Sequence, residues 1–209
     1  MMTPPVFILG GHQTDYARNW SREEATLFEI LGSSVRGALS ASSVEPEQID
    51  VGHVGNFTGE LFSRQGHLGG FLASVDTAFH GMPTSRHEAA CASGSVAILA
   101  AMADIESGRY DVACVAGVEQ MRNVPGRDAA EYLGAAAWAG REAEEAKFLW
   151  PWMFDALWQE YDRRYGVKRE HMGALAKLNF DNARTNPNAQ TRSWSFQDES
   201  FGESDEYNP

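Results

Sequence analysis

The chain has 209 residues, enough for one large domain or for a domain with a smaller companion. Hydrophobic residues at 43% and charged residues at 22% fit a folded chain and exclude wholesale disorder. A formal net charge of -12 excludes the basic face that a phosphate backbone requires, so no nucleic-acid partner is expected, while a small anionic ligand stays open wherever basic groups cluster.

No apolar run approaches the roughly 20 residues that span a bilayer. Met1-Met2-Thr3-Pro4-Pro5 has neither the basic n-region nor the apolar h-region of a signal peptide. Cys91 and Cys114 are too few for a disulfide framework and lack zinc-ligand spacing. The expectation is a cytoplasmic protein with reduced thiols, no membrane association and no metal site.

Val6-Phe7-Ile8-Leu9, closed by Gly10-Gly11, predicts a first buried strand. Ser21 to Glu24 reads as a capping box. Behind it Leu27, Ile30, Leu31, Val35 and Leu39 recur at helical spacing, predicting a helix that ends near Ser40. Val51 to Phe57 and Thr84 to Ala90 are strand candidates, with a modest helix over Gln65 to Val75 between them. Ser93 to Ser107 suits a buried helix closed by Gly108, and Asp111 to Gly117 carries the continuous apolar run of a strand covered on both faces. Strands alternating with helices predict an α/β fold, a parallel or mixed sheet layered with helices.

After Met121 the pattern changes. Asp128 to Trp138, Ala143 to Tyr165 and Lys168 to Arg184 read as helices with no strand between them, Pro151 fitting a helix start better than a helix interior. Asn186 to Pro209 is polar and acidic, and predicts no stable element. The domain reading is therefore 1–121 for the α/β part and 122–209 for a mostly helical part.

The chemistry-bearing segment is His87-Glu88-Ala89-Ala90-Cys91-Ala92-Ser93-Gly94-Ser95, a cysteine between a predicted strand and a predicted helix. The free N–H groups at a helix start favour thiolate over thiol and so raise nucleophilicity. Ala92, Ser93 and Gly94 leave room for an acyl group, and a thiolate exchanging with a thioester is close to energetic balance. Taken alone, the segment fits a small buried cysteine in a tight turn equally well.

Its neighbours add a pattern. Glu88-Ala-Ala-Cys91-Ala-Ser-Gly94, Gly108-Arg-Tyr-Asp111-Val112, Gly117-Val-Glu119-Gln-Met121 and the opening Ile8-Leu-Gly-Gly-His12-Gln-Thr-Asp15-Tyr-Ala together resemble the thiolase superfamily. Within it, the branch of sterol-carrier-protein-like thiolases and acetyl-CoA acetyltransferases looks closest. The resemblance implies a layered α-β-α half followed by a helical loop domain that covers acyl-CoA. It makes Cys91 the catalytic nucleophile, with His87 and Met121 as candidate substrate-binding residues and a coenzyme A thioester as substrate. No permanently bound cofactor is implied.

The family's other catalytic groups, two histidines, an asparagine and a second cysteine, sit on Asn-Glu-x-Phe, Gly-His-Pro and Cys-x-Gly motifs. None of these occurs in this sequence. The expectation is a chain that stops inside the loop domain and needs a complementary C-terminal half, in a homo- or hetero-oligomer.

Other residues carry plainer readings. His12 suits a loop or cap, His87 a structural hydrogen bond as readily as a pocket, and Cys114 a mid-strand structural role. His53, His67, His80 and His171 show no constellation in sequence. The aromatic residues between Trp138 and Tyr165 are read mainly as core, with a minority available to a bulky acyl pocket. Arg122, Arg127, Lys177, Arg184 and Arg192 are read as solvated surface charges rather than ligands of coenzyme A phosphates, and Glu119 as structural support. The preferred reading is a thiolase-type acyltransferase that cleaves or forms a C–C bond at a β-keto thioester; the alternatives are a thiolase-like aldolase or lyase acting on a bulky β-hydroxyacyl-CoA and a non-catalytic subunit. A β-ketoacyl-carrier-protein synthase shares the fold and the cysteine but fits the Glu88–Gly94 context less well.

Overall fold

A computed structural model describes residues 5–202. They form two compact units, one comprising the residues up to Thr14 with Trp20–Ala136, the other Asp15–Asn19 with the residues from Ala137 onward.

The first unit is built on a parallel sheet in the order β2-β1-β3, with β1 at Val51–Gly55, β2 at Thr84–His87 and β3 at Ala113–Gly117. Parallel neighbours require crossover connections, and the alternating grammar supplies them. Helix α1 spans Leu27–Ser42, the short α2 spans Gly59–Ser63, and α3 spans Ser93–Glu106. Side chains alternate across a strand, so Val54 and Ala116 face one side. There they join Leu31 and Val35 of α1 with Leu68, Leu72 and Phe79 in one buried cluster. His53, Gly55, Ser85 and His87 face the other side, where α3 lies. The close fit there is set by Gly55, since a Cβ at that position would stand 2.8 Å from Gly94 Cα. The result is the expected helix–sheet–helix layering.

Helix α1 begins later than its predicted signal. Ser21–Glu24 forms a turn instead, with Glu24 in the left-handed region at φ 58°. The working capping box is Thr26 with Glu29: Glu29 N–H donates to Thr26 Oγ1 (3.4 Å) and Thr26 N–H donates to Glu29 Oε2 (2.6 Å). That T-x-x-E pattern abuts Leu27, the first residue of the buried stripe, so capping and burial agree there and not at Ser21.

Val6–Leu9 is not a strand among the described residues. It has no regular structure, and Ile8 is 94% exposed with no strand paired to it. The predicted helix over Gln65–Val75 is a 3₁₀ segment at Leu68–Ser74, and the strand leading toward Cys91 ends at His87.

The second unit carries α5 (Leu149–Tyr165) and α6 (Arg169–Thr185), while the preceding α4 (Gly126–Gly134) belongs to the first. Pro151 sits in the first turn of α5, where its missing N–H costs nothing. Phe180, Phe196 and Phe201 stack together, with Phe180 and Phe196 ring centroids 4.2 Å apart. Neither α5 nor α6 contains a fully buried residue. The expectation that core packing absorbs the aromatic run is therefore corrected: Trp138, Phe154 and Tyr165 are more than 60% exposed, since nothing among the described residues covers them. A 3₁₀ turn at Asp198–Phe201 is ordered where no element was expected, while the acidic Glu203, Asp205 and Glu206 lie outside the described residues.

Candidate active site

The sequence puts Cys91 where β2 must hand over to α3, and the structure makes that junction a tight turn. Ala90–Ala92 form a single 3₁₀ turn, and Ala90 is held at φ 48°, a conformation that disfavours a side chain. Three local contacts hold it. Ala89 N–H donates to Ser93 Oγ (2.9 Å), Ser93 Oγ donates to the Ala90 carbonyl (2.7 Å), and Ala90 N–H donates to Glu88 Oε1 (2.6 Å). Cys91 itself is exposed at the tip. An exposed cysteine at a strand-to-helix turn is accessible to a ligand from solvent.

Cys114 is in the opposite situation. It lies in β3 against the core cluster, and burial pushes its thiol up to about 11. It is inert packing near neutral pH.

Beside the turn, at the carboxyl ends of the strands, a second set of groups fixes the loop after β1. Glu119 accepts from Phe57 N–H (2.9 Å), Thr58 N–H (3.3 Å) and Asn56 Nδ2 (3.1 Å). Buried Asn56 also donates to the Val118 carbonyl (2.8 Å) and accepts from Gly59 N–H (3.0 Å). Arg86 donates to the Phe57 carbonyl (2.7 Å) and pairs with Glu60. Burial holds the Glu119 carboxyl above the usual range, against the opposing pull of these donors and of Arg86. Glu119 thus braces a loop, the supporting part the sequence suggests for it. Met121, two residues on, is 43% exposed.

His87 does not stand alone, and neither does His53. His53 Nδ1 and His87 Nε2 are 2.9 Å apart, Ser85 Oγ lies 2.9 Å from His87 Nε2, and Asp104 Oδ2 lies 3.2 Å from His53 Nε2. Sequence reading found no constellation at His53, and the structure corrects it. The signal was a histidine inside the strand Val51–Gly55, all of whose residues are buried. Its partners were hidden because they depend on register: His53 pairs with Ser85 across two parallel strands, which spacing does not encode.

The remaining candidates go elsewhere. The His12 ring packs over Gly37 of α1, where any Cβ would collide with it. In the second unit Arg192 makes a two-pronged pair with Asp15 (2.7 and 2.9 Å), and Lys177 pairs with Asp181 (2.7 Å), so neither is a ready phosphate ligand. A groove of about 530 Å³ walled by Phe28, Phe62, Phe71 and Gln120 does not include Cys91. Among the described residues no three His, Cys, Asp or Glu side chains are grouped to hold a metal ion, and no helix is long and apolar enough to cross a membrane.

A family model described as the N-terminal domain of thiolase matches residues 6–199. The chain belongs to the thiolase family. It is 32% identical over 187 residues to an acetyl-CoA acetyltransferase of Methanocaldococcus jannaschii, covering 88% of this chain and 45% of that protein. To an acetyl-CoA acetyltransferase of Methanothermobacter thermautotrophicus it is 29% identical over 185 residues, covering 88% and 46%. To the non-specific lipid-transfer protein-like 2 of Caenorhabditis elegans it is 27% identical over 200 residues, covering 90% and 46%. The solved acetyl-CoA acetyltransferase of Syntrophomonas wolfei shares the fold, with a TM-score of 0.60 at 16% identity over 84% of this chain and 46% of that one. This thiolase-family chain spans about half the length of the curated relatives it matches.

Proposed function

We propose that this chain is the nucleophile-bearing half of a thiolase-type acyl-CoA acyltransferase. The single observation that carries the reading is Cys91, exposed on the β2–α3 turn within a thiolase N-terminal domain. The Cys91 thiolate attacks the thioester carbonyl of an acyl-CoA. The tetrahedral oxyanion collapses, the C–S bond to coenzyme A breaks, and coenzyme A leaves as a thiol after taking a proton. The product is an acyl-Cys91 thioester, the intermediate from which a C–C bond is made at a β-keto thioester, or to which such a bond is cleaved. His87 and Met121 belong to this proposal as substrate contacts, and no bound cofactor is needed for the transfer.

The later proton transfers require the histidines, asparagine and second cysteine that this sequence lacks, so the reading includes a complementary C-terminal half within an oligomer. One helix supports this. Helix α3 buries only Ser93, Ala97 and Ala101 against the sheet, while Ile98 and Leu99 on its outer side are 51% and 62% exposed. A helix apolar on every side belongs inside a larger core. Both cysteines are free thiols, in keeping with a reducing, cytoplasmic setting.

The exposed aromatic residues of the second unit favour one other reading, an aldolase or lyase working on a bulky β-hydroxyacyl-CoA. Intact-mass analysis after incubation with acetyl-CoA separates the two. Acyl transfer adds one acetyl group, mapped to Cys91 and absent from Cys91→Ala. An adduct that persists in Cys91→Ala removes the assignment, and cleavage of a β-hydroxyacyl-CoA without any adduct favours the lyase.

A further inference from the structure

The acyl-transfer reading takes His87 as a substrate contact and leaves unexplained the part-buried polar cluster around it, whose buried member is His53. His53 is 3% exposed, and its Nε2 finds no fully aligned hydrogen-bond partner, only Asp104 Oδ2 at 3.2 Å. An imidazole is costly to bury, so its neighbours define its state. Every titratable group facing it is named by the packing: β2 brings His87, α3 brings Asp104, and β3 brings only the uncharged Val115 in register. Ser85 Oγ adds a neutral bridge, 3.3 Å from His53 Nδ1 and 2.9 Å from His87 Nε2.

The proton count follows from the chemistry of two imidazoles 2.9 Å apart. With both rings neutral, the Asp104 carboxylate favours the proton on His53 Nε2, leaving Nδ1 to accept from His87 Nε2–H. One added proton is tolerated. On His87 it occupies Nδ1; alternatively His53 carries protons on both nitrogens, its Nδ1–H donating to His87 Nε2, and the one proton left on His87 is then at Nδ1. In either case the hydrogen bond survives. A second added proton sets two N–H groups and two positive charges face to face, and no tautomer relieves that.

The pair also sits where opening would be felt. His87 ends β2, its carbonyl accepts from Asn56 N–H (3.1 Å) to close the β1–β2 ladder, and the Cys91 turn, Ala90–Ala92, begins three residues on.

We propose that His53 and His87 are a one-proton latch beneath the Cys91 turn: with no added proton or one they hold β1 and β2 together, and a second proton, taken up in mild acid, opens that end of the sheet and silences Cys91. His53 and Asp104 act through His87 and are positioning residues. Burial first, and then His87, hold the His53 imidazole below its ordinary 6.5, with Asp104 pulling the other way. A histidine so depressed contributes stability that is whole above 6.5 and is lost as pH falls from there through the folded value. The silencing of Cys91 rests on its being the reactive thiol of the proposed function.

The test uses the full 209-residue chain. Thiolate-specific labelling of Cys91 with 2,2′-dithiodipyridine and hydrogen exchange at the Asn56 amide are followed from about pH 8 to 4.5, across the imidazole range. A simple thiol loses about tenfold in rate per pH unit below its own ionisation. Wild type is expected to fall more steeply than that in acid, with Asn56 losing protection over the same interval. His53→Asn places an amide where Nδ1 stood and cannot take the second proton, so its profile keeps the simple slope. Asp104→Asn, at a partly exposed site, moves the steep limb to lower pH.

A simple slope in wild type, a steep limb surviving in His53→Asn, or an upward move in Asp104→Asn overturns the latch. Acetyl labelling of the same samples keeps the two ideas separate. No acyl adduct with the steep limb intact removes the acyltransferase and leaves the latch.

Discussion

Truncating Glu119 tests whether the loop after β1 is held by hydrogen bonding or by charge. Its carboxylate accepts from Phe57 N–H, Thr58 N–H and Asn56 Nδ2, at 2.9, 3.3 and 3.1 Å. Glu119→Ala leaves all three donors. Asn56 Nδ2 keeps the Val118 carbonyl at 2.8 Å, so the loss falls on the two backbone amides. Each is worth about 1 kcal/mol where water has partial access, giving about 2 kcal/mol in all. That corresponds to about 30-fold faster amide exchange at Phe57 and Thr58 if their opening is local.

Glu119→Gln separates the two contributions. Burial raises the Glu119 carboxyl above its ordinary 4.5, so ionising it costs stability as pH rises through the folded value. Glutamine removes that cost and keeps one carbonyl acceptor for the backbone pair. The expected order of protection is wild type near Gln, with Ala well below both, read by hydrogen exchange at neutral pH. Exchange unchanged in Ala, or equal in Gln and Ala, refutes the bracing role.

Two further outcomes follow from the same geometry. Cys114, with its thiol near 11, stays unmodified when iodoacetamide is applied at pH 7–8 while Cys91 alkylates, and peptide mapping that finds Cys114 labelled in the folded chain contradicts its burial. Gly55→Ala drives a Cβ to 2.8 Å from Gly94 Cα and 2.9 Å from the Ser93 carbonyl carbon, both backbone atoms that cannot rotate away. Overpacking of this kind costs about 1–3 kcal/mol and displaces the start of α3, so both the urea midpoint and the labelling rate of Cys91 drop; a wild-type midpoint refutes the close packing.

Much of the first unit was legible because its signals are local. The Leu27–Val35 stripe and the handover at Cys91 appear where residue type and spacing put them, while the apolar β3 run is a strand at Ala113–Gly117 but, as an edge strand with only Ala116 buried, is not covered on both faces. Errors arose where a local signal had a rival a few residues on. Ser21–Glu24 and Thr26–Glu29 are equal as capping patterns, and only burial of Leu27 against the sheet decides between them. The His53–His87–Asp104 cluster was illegible for a deeper reason. It joins β1, β2 and α3 through a register of Gly52 with Thr84 and His53 with Ser85, and parallel register is a property of the assembled sheet. Family resemblance, by contrast, was carried by motif order, which needs no register at all.

Three features present apolar residues to solvent. The Phe7–Leu9 run has a strand's composition without a strand's partner, α3 has a buried helix's composition with Ile98 and Leu99 exposed, and α5 presents Phe154, Leu157 and Tyr165 to solvent. A chain of net charge -12 has ample polar residues to cover its surface, so these faces are not a shortage of polar composition. The complementary half proposed above would cover such faces. The polar interior points the other way. Asn56, Glu119, Arg86 and the histidine pair find their partners within the first unit. The loop and turn that present Cys91 are therefore set by this chain's own residues.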